Sequence, residues 1–325
     1  MYPTDGLCTY IYYTDVYVTG NVIVPRDLYI SFEVFKKVLG GYNRTKGGLS
    51  FDIRYIDAIT IRRSTAVLIT LASRNILHYG FLTMIAPIGK LEQWVNKAKD
   101  IFAAFKTQQG YNRTRRTIIA IGTFDYTQSM TKYTELFRKA LAKDYKADVV
   151  VVVSSSSIQP DVTSCKVIPP GARAVAAGNY PFFNIMMDLV KKSNQYPDKD
   201  KIVGMTFEMA ALVYKYHKNI SRPADIKLYE ACTEYALVPV DVGCESTSTL
   251  NVEYTNKGVM KDSTEYAVLW ESVDTTMSKV DLINTLPAWH RFSWVVFNVH
   301  LADSQGFCPG DKFKLLLDLK TKFGF

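Results

Sequence analysis

The run from Val149 to Val153 constrains this chain most. Residues 148–172 read DVVVVVSSSSIQPDVTSCKVIPPGA. Five β-branched residues in a row are too few for a helix and stiff at χ1, so they favour a pleated, buried surface. Four serines follow, then a turn at Pro160-Asp161, then a second short strand ending at Pro169-Pro170-Gly171. Two strands separated by a polar excursion and stopped by Pro-Pro-Gly predict one corner of a β-barrel or sandwich.

The rest of the chain extends that expectation. Residues 7–24 alternate aromatic or β-branched with polar residues, predicting a strand or hairpin that turns near Gly20-Asn21. Pro25 opens a short helix with Leu28, Phe32, Phe35 and Leu39 at helical spacing, ended by Gly40-Gly41. Strands are expected at 49–61, 65–72 and 76–86, and the clearest helix at 90–105. A strand starts at Thr117, and helices are expected at about 129–145 and 181–193. After the charged loop 196–201, strands are expected near 236–243, 248–255, 265–272, 291–301 and 312–323. Many strands with a few helices at corners, without regular alternation, predict a mainly β architecture rather than a parallel α/β sheet.

The formal charge of +8 suggests an acidic partner, nucleic acid before membrane surface, but it is dispersed and fits a basic solvated surface equally well. No apolar run approaches the length of a membrane span. Five widely spaced cysteines without a C-x-x-C pair are expected to be reduced, buried thiols, which suits synthesis inside a cell. No signal peptide is expected at the start of the chain. The sequons at Asn43, Asn112 and Asn219 are accordingly read as chance matches.

Motifs for chemistry are sparse. His78, His217, His290 and His300 form no metal-binding spacing, and no cofactor or metal is expected. Ser154 to Ser157 lack the glycine-flanked turn of a nucleophile. Glu208-Met209 resembles a nucleoside phosphorylase segment, but no phosphate-binding glycine loop precedes it, so it reads as an element with a buried methionine. The densest basic group, Arg113, Arg115 and Arg116, sits in a loop with Tyr111; with Arg44 and Lys46 it forms the candidate nucleic-acid contact.

In order along the second half, ADVVVVVSSSSI, SCKVIPPGA, residues 236–256 and CPGDKFKLLLDLKTKF resemble strands of a picorna-like virus jelly-roll coat protein. Glu253-Tyr254 stands where that family usually carries proline. The resemblance implies an antiparallel jelly-roll β-sandwich over residues 111–325. Residues 1–110 would be a β-rich region with two helices, either a first jelly roll in tandem or an elaboration of one roll. It further implies a non-enzymatic capsid protein that self-assembles with coat subunits into an icosahedral shell. Such a shell encloses genomic nucleic acid without reading its sequence. The location would be the virion, after synthesis in the host cytoplasm. The alternatives are a TATA-binding-protein-like nucleic-acid binder, since residues 10–105 can be read as strand, helix, strands, helix, and an enzyme of unassigned reaction whose site is assembled from distant residues.

Overall fold

The computed structural model describes residues 2–26, 29–108, 114–123, 126–155, 165–171, 183–193, 200–246, 249–252, 255–284, 292–303 and 305–324. The chain opens with β1 (Tyr10–Thr19), which turns back into β2 (Val22–Pro25) as the alternation predicts. α1 (Tyr29–Gly40) buries Phe32, Phe35 and Leu39. After β3 (Lys46–Phe51) come two helices, α2 (Ala58–Arg63) and α3 (Thr65–Ala72), where strands were expected. β4 (Ile76–Ile85) leads to α4 (Ile88–Thr107), β5 (Thr117–Gly122), α5 (Tyr126–Leu141), β6 (Val149–Val152), α6 (Phe183–Ser193) and β7 (Ile202–Glu208).

One residue past β7 the chain enters a second sheet. It comprises β8 (Ala210–Lys215), β9 (Glu234–Pro239), the short α7 (Asp241–Cys244), β10 (Thr249–Val252), β11 (Thr255–Val259) and β12 (Tyr266–Trp270). Its strands are antiparallel in the order β10-β11-β12-β8-β9. The chain then returns through α8 (Val273–Asn284), β13 (Phe292–Phe297) and α9 (Lys314–Phe323). The larger sheet runs β13-β7-β6-β5-β4-β3-β1-β2, with every neighbouring pair parallel except the β1–β2 hairpin.

This overturns the antiparallel jelly-roll sandwich, single or tandem. It equally removes the TATA-binding arrangement, because residues 10–105 form β/α units with parallel neighbours. Three helices concealed the alternation. TAVLITLA has the β-branched content of a strand, yet Leu68 and Leu71, three apart, bury one helical face and leave Ile69 49% exposed. In KFKLLLDLKTKF, Leu315, Leu316 and Leu319 share a helical face. Residues 273–284 had no assignment. With these restored, strand and helix alternate as parallel crossovers require.

Val149–Val152 is a central strand, buried on both faces, which is why it reads as an uninterrupted apolar run. Val150 and Val152 join the helix-side core with Ile119, Ile121 and Met205. Val149, Val151 and Val153 join Leu82, Ile118 and Ala120 on the other face. Tyr12 of β1 and Val295 and Phe297 of β13 pack into that same inner cluster, so the sheet curls until its two ends approach the same interior. The inner face admits no side chain at Gly80, where a Cβ would collide with the carbonyl of Ile118.

Candidate functional site

In a curled parallel sheet ringed by helices, the strands' C-terminal ends and the loops leaving them form the mouth where chemistry is carried. Two groups of polar side chains stand there. The first is made by two irregularities in the ladder. β1 shifts register between Tyr13 and Val16, and β4 shifts between Phe81 and Met84. Asp15, in the first of these, takes a left-handed backbone (φ 58°), a conformation a non-glycine residue adopts at a cost. The two irregularities meet: Thr83 Oγ1 donates to Asp15 Oδ1 at 2.7 Å. Bulges commonly re-aim a side chain beside a site in this way.

Asp52, one residue past β3, stands close to Asp15. Its carboxylate accepts from Arg54 Nε at 2.8 Å and Nη2 at 2.5 Å, and from the Arg54 backbone N–H at 3.0 Å. The two acids are driven apart. Burial pushes the Asp15 carboxyl up, and the charge of Asp52 adds to that while Thr83 opposes it. For Asp52 burial also works against the charge, but the Arg54 guanidinium outweighs it and holds the group below the usual carboxylate range.

The second group comes from β6, β7 and β13. Ser154 and Ser155 are buried and knit to Thr206: their backbone N–H groups donate to Thr206 Oγ1 at 2.9 and 3.1 Å, and Ser154 Oγ donates to Thr206 O at 2.6 Å. Ser156 and Ser157 lie outside the described residues. Glu208, the last residue of β7, is 1% exposed; its Oε1 accepts from Ala210 N–H at 3.0 Å and Asn298 Nδ2 at 2.9 Å. Glu208 lines a cavity of about 170 Å³ where the two sheets meet, together with Met209, Trp270, Glu271, Asp303 and Cys308. Met209 is buried, as expected.

Behind that cavity Lys279 of α8 forms a buried ion pair with Glu271 and donates to Gly171 O. A Cβ at Gly171 would collide with both charged groups, which accounts for the glycine of Pro-Pro-Gly. The cysteines differ from expectation. Cys165 pairs with Cys232 and Cys244 with Cys308, and Cys8 is the free thiol, its pKa pushed up to about 11 by burial. No group of metal-ligating side chains occurs among the described residues.

Of the residues proposed from sequence as a nucleic-acid contact, Arg44, Lys46, Arg115 and Arg116 lie at the other end of the strands. Arg44 is exposed in the loop entering β3, its backbone N–H bonded to Asp5. Lys46 begins β3 and donates to Asn43 O. Arg115 is buried, and the Arg116 N–H donates to His78 Nδ1 at 3.0 Å. Arg113 lies outside the described residues. The structure therefore gathers Lys46, Arg115 and Arg116 around His78. Sequence reasoning missed Asp15, Asp52 and Thr83; the one available signal was Asp15 itself, an acid interrupting the aromatic alternation of YIYYTDVYV.

No known protein family and no curated sequence relative matches the chain. Solved structures do. A Group IV chitinase from Ostrinia furnacalis in complex with allosamidin is 11% identical, over 99% of this chain and 92% of that one, with a TM-score of 0.65. The chitinase-like agglutinin of Robinia pseudoacacia is 13% identical over 93% and 91%, with a TM-score of 0.62. An immunomodulatory active chitinase from Trichuris suis is 11% identical over 98% and 92%, with a TM-score of 0.61.

The fold is chitinase-like. At these identities the likeness is one of fold, and it overturns the resemblance to picorna-like coat proteins. The capsid function and its nucleic-acid-binding alternative fall with that resemblance, as do the partners inferred from it, coat subunits and a packaged genome. The virion location and cytoplasmic synthesis have no remaining basis. The expectation of a non-enzyme loses its basis as well: it rested on the coat-protein resemblance, and the solved structures that share this fold include chitinases.

Proposed function

We propose that this chain binds chitin-type oligosaccharides, chains of N-acetylglucosamine, at the mouth of the parallel sheet. The observation that carries the reading is that the Asp15–Thr83–Asp52 group and, separately, the Glu208 cavity both stand at the C-terminal ends of parallel strands in a chitinase-like fold. Carboxylates and hydroxyls in a concave site supply the directional hydrogen bonds a polyhydroxylated ligand needs, and Trp270 supplies an apolar wall. Solved structures with this fold hold an N-acetylglucosamine tetramer in a Cycas revoluta chitinase and a pentamer in an Ostrinia furnacalis one.

The opposed shifts of Asp15 and Asp52 favour a second reading, hydrolysis of the bound glycan. A carboxyl whose pKa is raised by burial, beside one whose pKa is lowered by a guanidinium, is the kind of pairing general acid catalysis uses. Asp15 would donate its proton to the leaving glycosidic oxygen, and Asp52 would stay charged beside it.

The test is calorimetric titration with the N-acetylglucosamine tetramer, alongside a reducing-end assay on the same sample. Saturable binding supports the first reading, and release of reducing ends lost in Asp15→Asn supports the second. A protein that neither binds nor cleaves the tetramer sinks both.

A further inference from the structure

We propose that Asn43 and Asn219 are N-glycosylation sites. Read from sequence, the sequons Asn43-Arg44-Thr45 and Asn219-Ile220-Ser221 had no support, because the cysteines were expected to be reduced thiols. The structure reverses that premise. Four of the five cysteines form two disulfides, bonds that persist in oxidising compartments, and N-glycans are added in such a compartment.

Both asparagines are exposed and sit in connecting loops. Asn43 lies between α1 and β3, where its backbone N–H donates to Asp5 Oδ2 at 2.9 Å and its carbonyl accepts from Lys46, leaving the side chain toward solvent. Asn219 follows β8, and Ile220 beside it is buried, which anchors the loop. Neither is near the mouth. Asn43 enters β3 at its N-terminal end. Asn219 lies beyond the far end of β8, a six-residue strand spanning roughly 20 Å from the Glu208 end. A bulky glycan at either position leaves the mouth open. Asn112, the third sequon, lies outside the described residues.

The transfer balances simply. Asn Nδ2 attacks the anomeric carbon of an oligosaccharide carried on a lipid diphosphate. The new N–C bond replaces the sugar–phosphate C–O bond, and the amide proton leaves as the lipid diphosphate departs.

The test is secretion from a eukaryotic cell, followed by intact mass and peptide mapping before and after peptide N-glycosidase. Asn43→Gln and Asn219→Gln are the variants of choice. Thr45 is left intact because its hydroxyl accepts from Gly6 N–H and donates to Cys8 O. The expected result is two enzyme-sensitive mass steps, one lost in each variant, with Asn converted to Asp at both positions by the enzyme. Secreted, disulfide-bonded protein with unmodified peptides at 43 and 219 overturns the proposal, and so does a chain that folds with its disulfides but is never exported.

Discussion

The two ends of the parallel sheet are both polar, and they use polarity differently. At the N-terminal end each polar group ties one strand to another. Asp148 accepts from the Thr117 N–H at 2.7 Å and hydroxyl at 3.0 Å and from Lys106 at 2.6 Å, joining β5, β6 and α4. His78 accepts from Arg116, linking β4 to the start of β5. At the C-terminal end the ladder is interrupted instead. Asp15 stands in a costly backbone conformation, two register shifts face each other, and Glu208 opens on a cavity. One end spends its polar groups on holding strands in register, and the other accepts strain to place acids around open space.

Substitutions should separate these roles, and the largest effect is expected at the N-terminal end with acid. Burial, helped by the charge of Arg116, lowers the His78 pKa to about 4. The unfolded imidazole takes up its proton near 6.5, so between pH 6.5 and 4 the unfolded chain binds more protons and stability falls as pH falls, by about 3 kcal/mol. Urea midpoints across that range should drop in the native protein and flatten in His78→Phe. Equal slopes would refute a buried neutral histidine. Next, Asp148→Ala strands the Thr117 N–H and should cost about 2 kcal/mol while leaving oligosaccharide affinity unchanged. A loss of affinity there would blur the distinction between the two ends.

At the mouth the sign reverses. Because burial raises the Asp15 pKa, its ionised form burdens the fold at neutral pH. Asp15→Asn should therefore raise stability, by about 1 kcal/mol, and abolish any hydrolysis. A destabilised variant would make Asp15 a structural residue like Asp148. The smallest stability change is expected for Glu208→Gln, within about 0.5 kcal/mol, since the amide oxygen can still accept from Ala210 and Asn298. Its affinity for the tetramer should fall about tenfold, read by titration.

Much of the element content was legible: the β1–β2 hairpin, α1, α4, β4, β5 and the valine strand all stand near their expected places. The topology was not, because it hung on the three helices of residues 65–72, 273–284 and 314–323. A strand-like composition in Thr65–Ala72 was overridden by packing of Leu68 and Leu71, and that packing exists only once β4 is in place. Of the site, only Glu208 stands out in the sequence, through a segment that resembles a different enzyme; Asp15, Asp52 and Thr83 carry no motif, because a register shift and a remote hydroxyl bring them together.

By itself the sequence determined that the run Val149–Val153 would be buried as a strand, since no other structure hides five β-branched residues so economically. It also determined where α4 would present its apolar stripe. Tertiary structure alone decided that neighbouring strands run parallel, that Cys165 meets Cys232 across 67 residues, and that Thr83 turns toward Asp15 across 68. Local spacing encodes which face of an element is apolar. The partner that face meets, and the bulge that swings one acid toward a distant hydroxyl, arise only when remote segments pack.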